Sequence, residues 1–398
     1  MLKPFPRSIP LRSVFLGRVQ VTLAGGLFGA SLFWVFGIGG AEMILPEWRP
    51  GLGTMALIGG VGGMALLGRA VHARFARGAA FDRRVLLIGS GRLAEDVVSA
   101  LKVGRSPYMI VQRLPALSLA ESGNGSGGVS VLDLVHKADI HHIVIALRDG
   151  RGRFPFDDLL QCKFAGVTIE DGLSFYERVA GKVHLDALKP SWLIFSQGFK
   201  REYRTSVIKR AFDVIGSVVG LTVLAPFGLI LAAVIKCDSA GPVFYRQVRI
   251  GAGEHPFTLL KFRSMCCDAE RTTGPVWAKE GDERVTRVGR WLRMFRIDEL
   301  PQMVNVLRGQ MSFVGPRPER PSFVDRLKAD IPYYGLRHAV KPGITGLAQT
   351  RYTYGASVED ATEKLQYDLS YIKNHSLRLD LSILLDTFKI VALRRGAR

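Results

Sequence analysis

One stretch constrains this chain more than any other. From Ala211 to Ile235, 25 residues carry a single charge, that of Asp213. As a straight helix the run would be about 38 Å long, enough to cross a bilayer. Both flanks are basic, with Lys209 and Arg210 before it and Lys236, Arg246 and Arg249 after it. Pro226 sits near the middle, where a proline removes a helix hydrogen bond and crowds the preceding turn. A spanning helix would leave the two soluble halves on opposite sides of a membrane. A Pro-kinked, re-entrant helix over 209–236 keeps both halves on the cytoplasmic side, and this reading is preferred to a plain span or a buried core helix.

Two further apolar runs open the chain. Val14–Leu45 contains only Arg18 and Glu42 as charges, and Leu52–Gly68 contains none. Pro46, Trp48 and Pro50 lie between them, and a Trp suits a membrane–water interface. Lys3, Arg7 and Arg12 precede the pair, and Arg69, Arg74, Arg77, Arg83 and Arg84 follow it. By the positive-inside rule, 1–80 is expected to form a transmembrane helical hairpin with both ends in the cytoplasm. The charge balance agrees with a membrane protein. Lys and Arg number 54 against 35 Asp and Glu, a formal charge of +19, yet 47% of the chain is hydrophobic. That is too apolar for a disordered basic tail or a nucleic-acid coat, so anionic membrane lipids are expected as partners and nucleic acid is not. Cys162, Cys237, Cys266 and Cys267 show neither metal-binding nor disulfide spacing.

Between the apolar segments the pattern changes to α/β. Arg83-Arg84-Val-Leu-Leu-Ile-Gly89-Ser-Gly91-Arg-Leu-Ala94 reads as a strand, a Gly-rich turn and a helix start. Gly89 and Gly91 form a candidate nucleotide loop of the dinucleotide-binding type. Further strands are expected at Ile143–Ala146 and Val167–Ile169, with a helix at Phe156–Phe164 and a loop at Gly123–Gly128. Together they predict a Rossmann-like, doubly wound cytoplasmic domain over 81–200. No acidic residue follows a second strand at ribose-binding distance, which favours a vestigial or regulatory fold over a working NAD site.

The chemistry concentrates beyond Lys236. Arg and Lys recur in short Gly-punctuated segments, among them Arg246, Lys261, Arg263, Arg317 and, beside the last, Glu319. Such segments suit a phosphate-bearing substrate, because the Arg fork matches phosphate oxygens. Asp298-Glu299 is the sharpest feature. Leu300 precedes a proline and is expected to be extended, with Pro301 opening a helix over Gln302–Leu307 that Gly309 stops. Both carboxylates would then sit before a helix N-terminus, whose partial charge lowers their pKa. Adjacent residues cannot share one helix face, so a division of labour is expected: one is nucleophile or metal ligand, the other orients it or assists proton transfer. A helix cap with a salt bridge is the alternative for the pair read alone.

Assembled in order, these motifs resemble the bacterial sugar transferase family, the monotopic polyprenyl-phosphate phosphoglycosyl transferases. The resemblance rests on Lys209-Arg210-Ala-Phe-Asp213, Gly241-Pro242-Val-Phe-Tyr-Arg246-Gln247, Lys261-Phe-Arg263-Ser-Met265 and Arg296-Ile-Asp298-Glu299-Leu-Pro-Gln302. It continues through Gly315-Pro-Arg317-Pro318-Glu319, Lys341-Pro-Gly343-Ile-Thr345-Gly346 and Tyr367-Asp368 to Asn374. Pro190–Ser196 is similar to the large, exopolysaccharide-associated branch. The resemblance implies a mainly helical catalytic domain over 201–398. It implies transfer of a sugar 1-phosphate from a UDP-sugar to undecaprenyl phosphate, with UMP released at the bacterial inner membrane. Asp298 would be the nucleophile and a ligand of Mg²⁺, with Glu299 its partner. Lys261, Arg263, Arg317, Arg246 and Glu319 would contact the donor, and Lys209 and Arg210 the lipid phosphate. Pro226 would break the re-entrant helix, although Ala225 stands where the family often has Ser. Association with further copies of the chain is compatible with all of this. Two rival readings remain open: a nucleotide-sugar epimerase or dehydratase using Gly89 and Gly91, and a membrane scaffold whose basic face only recruits anionic partners.

Overall fold

A computed structural model of the chain describes residues 83–103, 106–115, 131–147, 156–200, 202–266, 282–352, 355 and 357–393. The hairpin expected at 1–80 and the loop expected at Gly123–Gly128 lie outside the described residues.

The first region is a four-stranded parallel sheet. Its strands are β1 (Arg83–Ile88), β2 (Tyr108–Leu114), β3 (His142–Ile145) and β4 (Thr168–Asp171), in the order β2-β1-β3-β4. Val85, Leu86, Leu87 and Ile88 are all buried, as a strand covered on both faces requires. One face packs Leu86, Ile88 and Ile143 against α2 (Val131–Lys137) and α3 (Phe156–Phe164) through Val131, Val135, Leu159 and Cys162. The other packs Val85, Leu87 and Val144 against α1 (Arg92–Val103) and α4 (Gly172–Ala180) through Ala94, Val97, Phe175 and Tyr176. Gly89 has a packing reason of its own, because a Cβ there would lie 2.2 Å from the Ala146 carbonyl oxygen. Arg113, near the end of β2, donates from Nε to the Gly89 carbonyl at 3.3 Å.

Residues 181–199, with the short helix α5 (Pro190–Phe195), join this region to the next. Val183, Leu185 and Leu188 belong to the core of the second region. Asp96 and His184 pair at 2.8 Å across the junction with α1.

Then comes α6 (Tyr203–Asp238), a single 36-residue helix that continues through Pro226, so the break expected at that proline does not interrupt it. At about 1.5 Å per residue it is about 54 Å long. Its buried positions are Asp213 and Ser217 in the first half and Ile235 near the end. Gly220 lies so close to Met303 that a Cβ would meet its sulfur at 2.7 Å. The opposite side exposes Phe212, Ile215, Val219, Val223, Phe227, Leu229 and Ile230. A helix that is apolar on its free side as well as its packed side is not built for water.

The remaining chain packs on one side of α6. An antiparallel hairpin, β5 (Phe244–Ile250) and β6 (Pro256–Phe262), leads to α7 (Arg287–Met294) and α8 (Gln302–Leu307). A parallel pair, β7 (Ser312–Val314) and β8 (Gly343–Thr345), flanks α9 (Pro321–Asp330). The chain closes with α10 (Leu347–Arg351), α11 (Val358–Lys373) and α12 (Leu377–Ala392). Val314, Val324, Leu327, Leu365, Leu369, Tyr371 and Ile383 make the core. At the C-terminal end of α11, Lys373 Nζ and the capping Asn374 Nδ2 donate to the buried Glu177 carboxylate of α4, tying the two regions together.

Candidate active site

The site is built by a sharp reversal between α7 and α8. Arg296 adopts the left-handed region (φ 53°), and Ile297–Glu299 then form a 3₁₀ turn that feeds α8. Leu300, expected to be extended before Pro301, is helical (φ −56°, ψ −37°). The turn hydrogen bonds on either side, Leu300 N–H to the Ile297 carbonyl and Met303 N–H to the Leu300 carbonyl, override the local pre-proline preference. Helix α8 spans Gln302–Leu307 as expected, with Gly309 just beyond it.

In a 3₁₀ turn successive side chains diverge by about 120°, so Asp298 and Glu299 meet different surroundings. Both are buried, at 7% and 6% exposure. Glu299 is clamped. Its Oε1 accepts from Lys261 Nζ at 2.9 Å and Arg317 Nη2 at 2.7 Å, and its Oε2 lies 3.7 Å from Arg296 Nη1. Burial alone would raise its pKa, but Arg317, Lys261 and Arg296 outweigh that and hold the carboxyl well below the usual range. Asp298 is held far more loosely, with its Oδ2 3.9 Å from Lys261 Nζ. Here burial dominates and raises the pKa, against the opposing pull of Lys261. The common lowering expected from the helix N-terminus is therefore not observed, because burial and neighbouring charges differ between the two. Burial also lowers the pKa of Lys261.

Lys261 comes from β6 and Arg317 from the segment after β7. A support absent from the sequence reading stands behind Arg317: Arg337 donates from Nη2 to the Arg317 carbonyl at 3.0 Å and to Asp368 Oδ2 at 2.9 Å. Burial pushes the Asp368 carboxyl up to about 6. Arg293 and Arg296 also act on the dyad, Arg293 by its charge on Asp298. Their nearness to the acidic pair in sequence was the available signal, whereas Arg337 and Asp368 lie too far along the chain to suggest themselves.

The other expected contacts are placed as follows. Arg263 is buried, and its guanidinium donates to the carbonyls of Ile235, Ser239 and Ala240, closing the C-terminus of α6. Lys209 Nζ bonds Asp380 Oδ2 at 2.6 Å and the Val314 carbonyl at 3.1 Å. Arg210 caps α8 through the Val306 and Leu307 carbonyls. Arg246 is exposed on β5. Glu319 lies 3.5 Å from Arg249, and its charge also acts on Arg317. The structure thus brings Asp298, Glu299, Lys261 and Arg317 together and leaves Arg263, Lys209 and Arg210 in structural contacts. Among the described residues, no three His, Cys, Asp or Glu side chains converge as a metal cluster.

Comparisons with known proteins agree on one assignment. Residues 204–394 match the family model described as bacterial sugar transferase. A UDP-N-acetylgalactosamine-undecaprenyl-phosphate N-acetylgalactosaminephosphotransferase of Aeromonas hydrophila is 40% identical over 240 residues, 60% of this chain and 56% of the relative. A UDP-glucose:undecaprenyl-phosphate glucose-1-phosphate transferase of Caulobacter vibrioides is 46% identical over 183 residues, 45% of this chain and 67% of the relative. An exopolysaccharide production protein of Rhizobium leguminosarum is 41% identical over 199 residues, 48% of this chain and 97% of the relative. The chain spans only about half the length of the first of these relatives.

Proposed function

This chain belongs to the bacterial sugar transferase family, and from that premise we propose that it moves a sugar 1-phosphate from a UDP-sugar to undecaprenyl phosphate. The observation that carries the mechanism is the unequal dyad. Glu299 is an ion already neutralised by three cations, and Asp298 is a buried carboxylate with only a distant one. A weakly solvated carboxylate is the better nucleophile of the two.

In the first step an Asp298 oxygen bonds to the β-phosphorus of the donor. The phosphorus–oxygen bond to the α-phosphate breaks, and its electron pair leaves with UMP. In the second step an oxygen of the lipid phosphate bonds to that phosphorus, the bond to Asp298 breaks, and its electron pair returns to the carboxylate. Neither step requires a proton. Glu299 holds Lys261 and Arg317 in place, and both would offset charge on the diphosphate. The donor set fits Mg²⁺, which commonly takes one or two carboxylates and fills its remaining positions with substrate phosphate oxygens and water. Asp298 would hold it together with the donor, and the ion would withdraw charge from the diphosphate.

The membrane reading is re-entrant. Near its start, α6 is fixed by Lys209 to Asp380 and by Asp213 to Ser312 and Phe313. Near its end it is fixed by Arg263 and by Asp238, which accepts from Val288 N–H. A helix whose two ends hold one body suits embedding from one face of a bacterial inner membrane, with the site towards the cytoplasm. Cysteines introduced near Arg201 and near Lys279 are then expected to label from the same side, and labelling from opposite sides would exclude re-entry. The first region is read as Rossmann-like and non-catalytic, and the product as the start of an exopolysaccharide or related glycoconjugate.

The test is a panel of UDP-sugars presented to purified membranes. UMP release is expected only with undecaprenyl phosphate and Mg²⁺ in steady state, with Asp298→Asn as the control. If no sugar releases UMP above that control, the assignment is wrong.

A further inference from the structure

Lys209 and Arg210, the cations expected beside the lipid phosphate, are bound to Asp380 and to the end of α8. A cleft of about 220 Å³ beside Glu299 offers another place for it. Apolar side chains make much of its wall, Phe295, Leu300 and Met303 with Ile390 and Val391 of α12, and Thr345, Gln349, Thr350 and Thr387 also border it. Its charged end carries Arg296 and Glu299. Met303 packs on Gly220, so the cleft adjoins the apolar helix α6. The neighbouring face of α12 exposes Leu381, Leu385 and Phe388, the last at 74%.

These features select among the molecules that the reaction brings together. The hydroxyls of Thr345 and Thr387 bond each other at 2.6 Å, and Thr350 and Gln349 donate to the Leu347 and Ile344 carbonyls, so a uridine or a sugar buried there would lose hydrogen bonds to water that the apolar walls cannot replace. An isoprenoid chain has none to lose and gains by leaving water. Its phosphate needs one cation at the inner end, and the Arg296 side chain, 36% exposed and 3.7 Å from Glu299, is placed to meet it. The adjoining apolar faces of α6 and α12 give the rest of the chain a lipid-facing exit.

We propose that this cleft is the acceptor site, with the first isoprene units between α8 and α12 and the phosphate on Arg296; this rests on the phosphosugar-transfer reading above. From there a phosphate oxygen forms the new bond to the phosphorus on Asp298, and the Asp298–phosphorus electron pair returns to the carboxylate.

Val391→Trp and Ile390→Phe fill the cleft, and Arg296→Gln removes its cation without large-to-small truncation in the core. Each is expected to raise KM for undecaprenyl phosphate by about tenfold or more; the two cleft-filling variants should lower kcat at saturating acceptor by less than about threefold, whereas Arg296→Gln also loosens Glu299 and is read by its acceptor KM alone. The wild-type protein, given donor and Mg²⁺ without acceptor, should release a burst of UMP equal to the enzyme present. A missing burst overturns the underlying mechanism. A burst accompanied by unchanged acceptor KM in Arg296→Gln and in a folded cleft-filling variant overturns the cleft alone. Inhibition by phosphatidic acid or inorganic phosphate as strong as that by a non-transferable prenyl phosphonate would show general phosphate binding, and would also overturn it.

Discussion

In the parallel-sheet region, the strands bury Val85 to Ile88, Ile143 and Val144 between two layers of helix, and charge stays at the margins. Among the described residues there, Glu177 is the buried carboxylate, and it faces out of the region towards Lys373. In the family-matching region the buried set includes Asp213, Arg263, Asp298, Glu299, Arg337, Asp368 and Asp380. Taking a charge out of water costs several kcal/mol, and pairing rarely returns more than that. Apolar residues would hold the second region together at least as well. Its buried ions are better explained by positions they enforce: Glu299 spaces Lys261 and Arg317, Asp368 and Arg337 hold the Arg317 backbone, and Asp380 anchors α6 through Lys209. One region is organised by burial of apolar surface, the other by a paired network of charges beside a loosely held carboxylate.

The contrast can be broken most severely at Asp298. Asp298→Asn should lower UMP release by about a thousandfold or more with the fold intact by circular dichroism. Retention of more than a tenth of the activity would reduce the dyad to a structural ion pair. Next in size is Lys209→Met. It leaves Asp380 buried beside Tyr371 without its cation and should cost about 3 kcal/mol in thermal or denaturant unfolding. An unchanged unfolding transition with a raised acceptor KM would instead return Lys209 to the lipid site. A smaller effect is expected from pH. Attack needs the Asp298 anion, and burial raises its pKa. Activity should therefore fall as pH decreases through that raised value, placing the acid limb of kcat/KM above the ordinary Asp value of about 4. A flat profile down to that pH would mean that Asp298 is as well solvated as a surface residue. The smallest effect belongs to the sheet region. Gly91 has φ +115° with open space around it, so Gly91→Ala should cost about 1 kcal/mol of stability and change turnover less than about twofold. A tenfold loss of turnover would bring a ligand of that loop into the reaction.

Local pattern was informative where one physical effect dominates. Strand β1 was legible because both faces are covered and four apolar residues follow one another. Helix α3 was predicted with the bounds observed, and α8 could be read from Pro301 and Gly309 at its two ends. Leu300 was misread because the 3₁₀ turn before it supplies hydrogen bonds that a dipeptide preference cannot include. The family resemblance implies that Lys209, Arg210 and Arg263 contact substrate phosphates. In the structure they meet Asp380 and the carbonyl ends of helices, partners up to 171 residues away. The support of Arg317 by Arg337 and Asp368 was illegible for the same reason, since neither residue is near Arg317 along the chain.

By itself the sequence determined the apolar length of α6, the acidic pair with its basic neighbours, and through their ordered motifs the family. Those depend on composition and on spacing over a few residues. The tertiary structure decided which of two adjacent carboxylates is clamped, which cations surround it, and which are held elsewhere. Charge and solvation act through space: Lys261 from β6 and Arg317 from the segment after β7 converge on Glu299, and the same packing shields Asp298 while leaving it only a distant cation. The pair is therefore identical in local sequence context and unequal in chemistry.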